Sequence, residues 1–169
     1  PERVLKSGDI VSMDVCVVYQ GFVGDNTRTV VIGEASPEVS RLVKTTEESM
    51  YVGIAQALAG NRVGDISAAI QKYVEDAGYS VIREFTGHGV GRHLHEEPEV
   101  PNYGKAGTGA LLRPGMTIAI EPMVAMGKPD IKIGSDGWTV YTLDGKPSSH
   151  SEHTVLITDG EPEILTVCE

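Results

Sequence analysis

The chain has 169 residues, of which 14 are Lys or Arg and 24 are Asp or Glu, so its formal net charge is −10. This acidic balance argues against a protein that binds nucleic acid directly and against a basic helix lying on a membrane. The hydrophobic fraction of 40% and the charged fraction of 22% are typical of a folded globular protein. We therefore expect one domain with a sizeable core.

The N-terminal part of the chain predicts a β-hairpin. Apolar and polar residues alternate over residues 10–19, which indicates a strand with one apolar face. Gln20-Gly21 is typical of a two-residue turn, and residues 22–32 form the expected returning strand.

Two amphipathic helices are expected after the hairpin. Ser36-Pro37 is typical of a helix start, and apolar residues then recur at helical spacing over residues 39–58, with Gly60 able to end the helix. A second apolar stripe covers residues 66–77 and is followed by Gly78.

The remainder of the chain predicts short strands separated by Gly and Pro. This order of hairpin, helices and strands indicates an α+β fold rather than alternating βαβ units. Residues 102–109 are expected to form a surface loop. The predicted strands cover residues 79–85, 116–121, 138–143, 153–158 and 163–167.

Two cysteines, Cys16 and Cys168, are too few for a disulfide framework. Cys16 lies in an apolar strand pattern, so we expect a buried, reduced thiol. Reduced cysteines favour a cytoplasmic location.

Asp14 and Asp25 lie on the two strands of the predicted hairpin. If Gln20-Gly21 is a two-residue turn, Asp14 faces Thr27, and the two carboxylates become diagonal neighbours on one face. Converging carboxylates repel each other unless a cation lies between them. A turn longer by one residue would reverse the register and leave Asp14 as an ordinary solvated side chain.

The segment of residues 85–98 contains three of the five histidines within eight positions, at His88, His93 and His95. Glycines on both sides of His88 leave the backbone bare, so that another group can approach closely. A single histidine is more often a core residue than a ligand. The clustering nevertheless favours a functional site, because neutral imidazole is a common metal ligand.

Glu121 and Glu152 each adjoin an apolar strand pattern, Glu121 at the end of one and Glu152 at the start of another. Either could be an ordinary edge carboxylate, but a charge beside a buried strand needs a partner. Four carboxylates and one histidine would form an oxygen-rich site that suits a pair of Mn, Fe, Co or Zn ions better than a structural zinc.

The chain resembles the type I methionine aminopeptidases, which have the pita-bread (creatinase/aminopeptidase) fold. Each motif alone is weak, but together they are specific, occur in the family's order and extend over nearly the whole chain. They occupy residues 8–15, 24–25, 86–92, 95–98, 101–104, 112–116, 120–123, 136–139 and 151–154.

The resemblance implies a site that holds two divalent ions and removes the N-terminal methionine from nascent proteins by hydrolysis. Asp14 and Asp25 match carboxylate ligands, with Asp25 bridging both ions, and Glu152 matches a second bridging ligand. His88 matches the one imidazole ligand. Glu121 matches a ligand of the same ion and the residue that carries the proton.

The resemblance also implies residues that contact the substrate. His95 matches a histidine, not a metal ligand, that contacts the peptide at the scissile bond and has a catalytic role. Trp138 matches an aromatic residue of the methionine pocket. Leu94 stands where the family often has an aromatic residue in that pocket.

Residues 1–169 are expected to form a single metallopeptidase catalytic domain that corresponds to the C-terminal majority of the family's domain. The family's N-terminal helices and strands have no counterpart here. We therefore expect an exposed apolar surface and an unpaired edge on the hairpin, and a separate N-terminal fragment of the same protein is a candidate partner.

Three alternatives remain open from the sequence. A Xaa-Pro aminopeptidase of the same fold would use the same five metal ligands. A relative that only binds partners would be expected to have lost some of these ligands. A catalytically incomplete fragment would bind metal without turnover.

Overall fold

Two helices and twelve strands follow one another in the computed structural model, which describes residues 3–167. The hairpin comes first, the helices second and the shorter strands last, as the sequence predicted. The elements are β1 (Ile10–Tyr19), β2 (Phe22–Val31), α1 (Pro37–Ile54), α2 (Val63–Asp76), β3 (Ser80–Val81), β4 (Gly87–Gly89), β5 (Glu96–Val100), β6 (Thr117–Ile120), β7 (Met123–Ala125), β8 (Ile131–Ile133), β9 (Val140–Thr142), β10 (Ser148–His150), β11 (His153–Leu156) and β12 (Glu163–Ile164).

The strands form four antiparallel sheets. The largest has the order β12-β11-β6-β4-β5, and a second has the order β10-β7-β3. The pairs β1-β2 and β8-β9 each form a two-stranded sheet. The helices are consecutive in the chain and do not connect parallel strands, which confirms the α+β class.

The hairpin has the register that the sequence predicted. Gln20 and Gly21 both have positive φ values, 50° and 83°, which is the backbone that a tight two-residue hairpin turn requires. This turn places Asp14 and Asp25 as diagonal neighbours on one face. The aligned pairs include Tyr19 with Phe22, Cys16 with Asp25 and Asp14 with Thr27.

Helix α1 begins where it was predicted and ends earlier. The Ser36 hydroxyl caps its first turn, and Pro37 occupies the first helical position. The helix ends at Ile54 rather than near Gly60, because the next residues form tighter turns that bring Ala57 into the core. Within residues 3–167, no helix combines the length and apolar character needed to cross a membrane.

Strands β4, β5, β7, β8 and β10 were not predicted from the sequence. Each has only three to five residues, which is too short for a clear alternation of apolar and polar side chains. The predicted segment of residues 79–85 contains only the two-residue strand β3, and its remaining residues are loop.

The helices pack on the two larger sheets, and the apolar core lies between them. Leu42 of α1 and Ile66 and Ile70 of α2 are fully buried in one cluster with apolar residues of β6, β7 and β11. These sheets and helices therefore form a rigid support for the residues at the strand ends.

The apolar face of β1 is exposed. Met13, Val15 and Val17 are 47%, 54% and 56% exposed, as the resemblance led us to expect. The expectation of a buried Cys16 is wrong, because β1 pairs only with β2 within the described part of the chain and neither face of β1 is fully covered. Cys168 lies outside the described residues.

We expect the substitution Ser36→Ala to lower the free energy of unfolding by about 1 kcal/mol, because it removes the cap on α1. The Ser36 hydroxyl accepts a hydrogen bond of 3.3 Å from the Val39 amide, and alanine leaves that amide to solvent. Urea denaturation measures the change. The matched control is Ser40→Ala at an exposed position within the same helix. Equal destabilisation by both substitutions would contradict the capping role.

Candidate metal centre

One cavity of about 420 Å³ lies between the hairpin, β4 and the ends of β6 and β10. Its wall brings together all five residues that the sequence indicated as metal ligands, although they are spread over nearly 140 positions. The lining residues are Asp14, Cys16, Asp25, Phe85, Thr86, His88, Leu94, His95, Glu121, Met123, His150 and Glu152.

Asp25 belongs to two groups of side chains that are each close enough to hold a cation. Ligand atoms of Asp14, Cys16 and Asp25 lie within 4.8 Å of one another. Ligand atoms of Asp25, His88 and Glu152 do the same. A carboxylate shared by two such groups can bridge two adjacent cations.

His88 lies against two of the carboxylates. Its Nε2 atom is 3.3 Å from Glu121 Oε1 and 3.9 Å from Asp25 Oδ2. His95 packs on His88 with an edge-to-face geometry, and the two ring centroids are 4.4 Å apart. The site therefore presents an imidazole nitrogen and carboxylate oxygens to one point, with a second imidazole beside them.

Glu152 is 2% exposed and is buried among other acids. Thr27 donates a hydrogen bond of 2.8 Å to its Oε2 atom, but Oε1 is buried and has no hydrogen-bond partner within residues 3–167. Burial raises the pKa of Glu152 to about 9, with the charges of Glu121 and Asp25 as the next causes. The cavity therefore disfavours a further negative charge when no cation balances it.

These features fit a divalent cation. Buried carboxylates without balancing charge are unfavourable, and the unpaired Glu152 Oε1 is a free ligand oxygen. Oxygen atoms from four acids and one imidazole nitrogen form the donor set that Mn, Fe, Co and Zn accept in hydrolytic centres. The structure brings the five predicted ligands to one cavity, and their roles as ligands stay a prediction.

The glycines around His88 have a structural explanation. A Cβ atom on Gly87 would collide with the carbonyl oxygen of Ala119, and one on Gly89 with that of Glu97. The sequence suggested that bare backbone would admit an approaching group. The groups that approach are the backbones of the neighbouring strands β6 and β5. Their close packing against β4 fixes the position of His88.

Hydrogen bonds of both side chains and backbone connect β2 to the segment around Glu152. The Thr154 hydroxyl accepts from the Asp25 amide at 2.9 Å and donates to the Asp25 carbonyl at 2.9 Å. The Glu152 amide donates to the Thr27 carbonyl at 2.8 Å. These contacts fix the hairpin acids relative to Glu152, although β2 and β11 lie in different sheets.

The contact of Cys16 with a predicted ligand was missed in the sequence. The Cys16 thiol donates a hydrogen bond of 3.0 Å to Asp25 Oδ1. Desolvation of the sulfur and this contact with Asp25 raise the pKa of the thiol to about 12, so it remains a donor at neutral pH. The alternation Asp14-Val15-Cys16 was a signal that Cys16 shares the face of Asp14.

Asn102 was expected on a surface loop, and that expectation is wrong for this residue. Its side chain is fully buried, and its Nδ2 atom donates a hydrogen bond of 3.0 Å to the Glu121 carbonyl. Residues 103–109 do form a loop, and residues 104–109 are exposed. The sequence around Asn102, which follows Pro101, gave no sign of the contact with Glu121.

His150 was also missed. It lies on the cavity wall with its Nε2 atom 3.4 Å from Glu121 Oε2. It precedes Glu152 by two residues, and this spacing is typical of side chains that share one face of an extended chain. The two-residue spacing from Glu152 could have indicated that His150 lies on the same side of the chain as Glu152.

The predicted substrate-contacting residues are placed differently from one another. Leu94 and His95 line the cavity. Trp138 is 87% exposed between β8 and β9 and does not line this cavity. Its hairpin instead borders a smaller neighbouring cavity through Ile131 and Val140. The assignment of Trp138 to a methionine pocket therefore stays a prediction that this arrangement does not support.

The fold and the cluster of acids define a hydrolytic metal centre, and comparison with known proteins agrees. Residues 1–159 match the profile of Metallopeptidase family M24. The chain is 52% identical over 167 residues to "Methionine aminopeptidase" of Clostridium acetobutylicum, covering 99% of this chain and 67% of that protein.

Solved structures show the same relationship. A methionine aminopeptidase from Thermotoga maritima superposes with a TM-score of 0.96 at 51% identity, covering 98% of this chain and 66% of the other. A prolidase from Thermococcus sibiricus superposes with a TM-score of 0.79 at 27% identity, covering 100% of this chain and 41% of the other. The chain thus spans about two thirds of the length of these methionine aminopeptidases.

The chain belongs to metallopeptidase family M24. Its α+β architecture is the pita-bread fold that the resemblance implied. Use of a divalent metal follows from the family together with the cluster of ligand atoms around Asp25.

We expect a divalent cation to stabilise the chain, because it balances the buried acids. A cation at about 100 times its dissociation constant adds about 2.7 kcal/mol to the free energy of unfolding. Thermal melts of metal-stripped protein with and without Mn or Co measure the shift.

The variant Glu152→Gln should lose most of this shift, because it removes one ligand charge. Glu161→Gln, at an exposed position away from the cavity, is the matched control and should keep the full shift. Equal shifts in both variants would show that the cation binds elsewhere.

Proposed function

We propose that this chain carries the catalytic centre of a methionine aminopeptidase, which removes the N-terminal methionine of nascent polypeptides by hydrolysing the first peptide bond. The observation that carries this proposal is the pair of ligand groups that share Asp25 within one cavity. The 52% identity to the clostridial enzyme supports the substrate class. Residues 1–169 would be one catalytic domain, acting in the cytoplasm.

The centre would hold two divalent ions. Asp14 and Asp25 would bind one ion, while His88 and Glu121 would bind the other together with Asp25. Glu152 lines the same cavity, and its Oε1 atom has no hydrogen-bond partner among residues 3–167. It would be the second bridging ligand. When bound, the ions supply an activated water and polarise the peptide carbonyl. The donor set accepts Co, Mn, Fe or Zn, and availability in the cell selects among them.

Glu121 is suited to move the proton. Its Oε1 atom lies 3.3 Å from His88 Nε2, so the carboxylate adjoins the metal ligands while remaining in the cavity wall. A carboxylate in this place can accept a proton from the attacking water and pass it to the departing amine.

His95 and Leu94 would contact the substrate. His95 packs edge-to-face on His88 and lines the cavity, where its ring can donate a hydrogen bond to the peptide oxygen that becomes negative during attack. Leu94 supplies an apolar surface for the methionine side chain. Trp138 would contribute to this pocket only if its hairpin moved from the exposed position.

A second polypeptide segment would complete the pocket. The exposed apolar face at Met13, Val15 and Val17 is the surface on which it would pack. We propose a separate N-terminal fragment of the same protein as the partner that packs on this surface.

A Xaa-Pro aminopeptidase of the same fold is the second candidate, and the similarity to the Thermococcus prolidase, which is named for another proline-directed peptidase, is the observation that favours it. The same ligands would serve that reaction, so the cavity chemistry does not separate the two. Sequence identity does favour the methionine enzymes, at 52% against 27%.

We expect release of methionine from a peptide beginning Met-Ala when metal-stripped protein receives Mn or Co. A peptide beginning Ala-Pro should remain uncleaved. Chromatography of the released amino acid measures both reactions. Cleavage of the Ala-Pro peptide alone would support the Xaa-Pro aminopeptidase alternative, and cation binding without any cleavage would support an incomplete catalytic fragment.

We expect Glu121→Gln to lower kcat for the Met-Ala peptide by about 100-fold or more, because general acid–base catalysis contributes about 10²–10⁴-fold. Glu161→Gln is again the matched control, at an exposed site outside the cavity. Near-normal turnover in Glu121→Gln would contradict the proton-carrier role of Glu121. It would not contradict the proposal that the cavity binds metal.

A further inference from the structure

Glu121 lies between two imidazole rings, one on each of its carboxylate oxygens. His88 Nε2 is 3.3 Å from Oε1, and His150 Nε2 is 3.4 Å from Oε2. The first contact joins two predicted ligands of the same cation. The second contact involves a residue that neither the predicted ligand set nor the proposed reaction uses.

The His150 Nε2 atom is buried and has no hydrogen-bond partner in the described range of residues 3–167. The Glu121 oxygen is the acceptor that faces it, at a distance slightly longer than a normal N–H···O hydrogen bond. A buried polar nitrogen beside a carboxylate is expected to pair with it.

The backbone of His150 is held firmly on both sides. Its amide donates a hydrogen bond of 3.1 Å to the Thr29 hydroxyl, and that hydroxyl donates one of 2.6 Å to the His150 carbonyl. On the other side, His150 pairs with Met123 of β7. The ring therefore projects from a fixed point toward Glu121, whose own carbonyl is fixed by Asn102.

We propose that His150 is a positioning residue, which donates a hydrogen bond from Nε2–H to Glu121 Oε2 and thereby directs Oε1 toward His88. The inference rests on the proposed function in one respect, since Glu121 is taken as a metal ligand and proton carrier. Held in this way, the carboxylate would keep Oε1 on the side of His88, where these two residues would hold a cation together. Hydrogen-bonded neighbours of this kind orient metal ligands in many hydrolases.

The competing role is direct ligation, in which the His150 imidazole itself binds a cation. The two roles differ in what glutamine can replace. A glutamine amide donates a hydrogen bond to a carboxylate, whereas it is a poor substitute for a metal-binding imidazole.

The test compares His150→Gln with His150→Leu by titrating Co into the metal-stripped full chain and following its absorption spectrum. We expect His150→Leu to weaken Co binding by about 10–100-fold, the range seen when a ligand loses its hydrogen-bonded neighbour. His150→Gln should restore binding to near the wild-type affinity. Ser148→Ala, at an exposed position on the same strand, is the control and should bind normally.

Unchanged Co affinity in His150→Leu would overturn the proposal. Equally weak binding in His150→Leu and His150→Gln, with both variants folded, would overturn it in favour of direct ligation. In the peptide assay, positioning predicts that His150→Leu lowers kcat with little change in KM and that His150→Gln recovers kcat.

A measurement on the unaltered chain covers the case in which the variants fail to fold. The ¹⁵N–¹H couplings of the histidine rings distinguish which nitrogen carries a proton. We expect a proton on Nε2 of His150 in the metal-free protein. A bare Nε2 would overturn the proposal. Neither this experiment nor the Co titration depends on peptide cleavage, so failure of the proposed function is recognised separately.

Discussion

The burial of several acids in one small cavity is the constraint on which the rest of the structure depends. Asp25, Glu121 and Glu152 are all almost fully buried, and each would repel the others as carboxylates. Their convergence costs stability unless a cation balances it. The chain keeps this arrangement through hydrogen bonds from Cys16, Thr27 and Asn102, which fix individual acids in place. We therefore expect a bound cation to add to the stability of this fold.

The hairpin contributes two of the acids although its strands belong to neither of the larger sheets. Contacts from Thr27, Thr29 and Thr154 attach β2 to the segment around Glu152. Each threonine hydroxyl bonds across a boundary between sheets, where no regular ladder exists. Strand β1 makes few such contacts, so the placement of Asp14 depends on the register of the hairpin. The tight turn at Gln20-Gly21 lies at the far end of the strands, but it sets the register that places Asp14 beside Asp25.

The elements and site residues that sequence reasoning found share a physical property. Long periodic segments, such as the hairpin and both helices, were predicted because many residues repeat one pattern. The two-residue turn then determined the Asp14–Asp25 geometry, which the structure shows as predicted. Short strands such as β4 and β10 were missed because three residues cannot show a period. The residues alone only suggested that the five predicted ligands form one site, and the family resemblance supplied their roles, because His88, Glu121 and Glu152 lie in or beside separate short strands.

The residues that sequence reasoning missed act through other residues. Asn102 and Cys16 each donate one hydrogen bond to an acid or its backbone, and such a role has no characteristic spacing along the chain. His150 was visible in principle, because it shares the alternation of Glu152. The motif around Glu152 indicated the acid as a ligand, but it gave no role to His150, which we propose orients Glu121. A carboxylate between two imidazoles has two distinct oxygens. In the proposed arrangement one oxygen would face the cation and the other the scaffold, so that the same glutamate would serve both as a metal ligand and as a proton carrier.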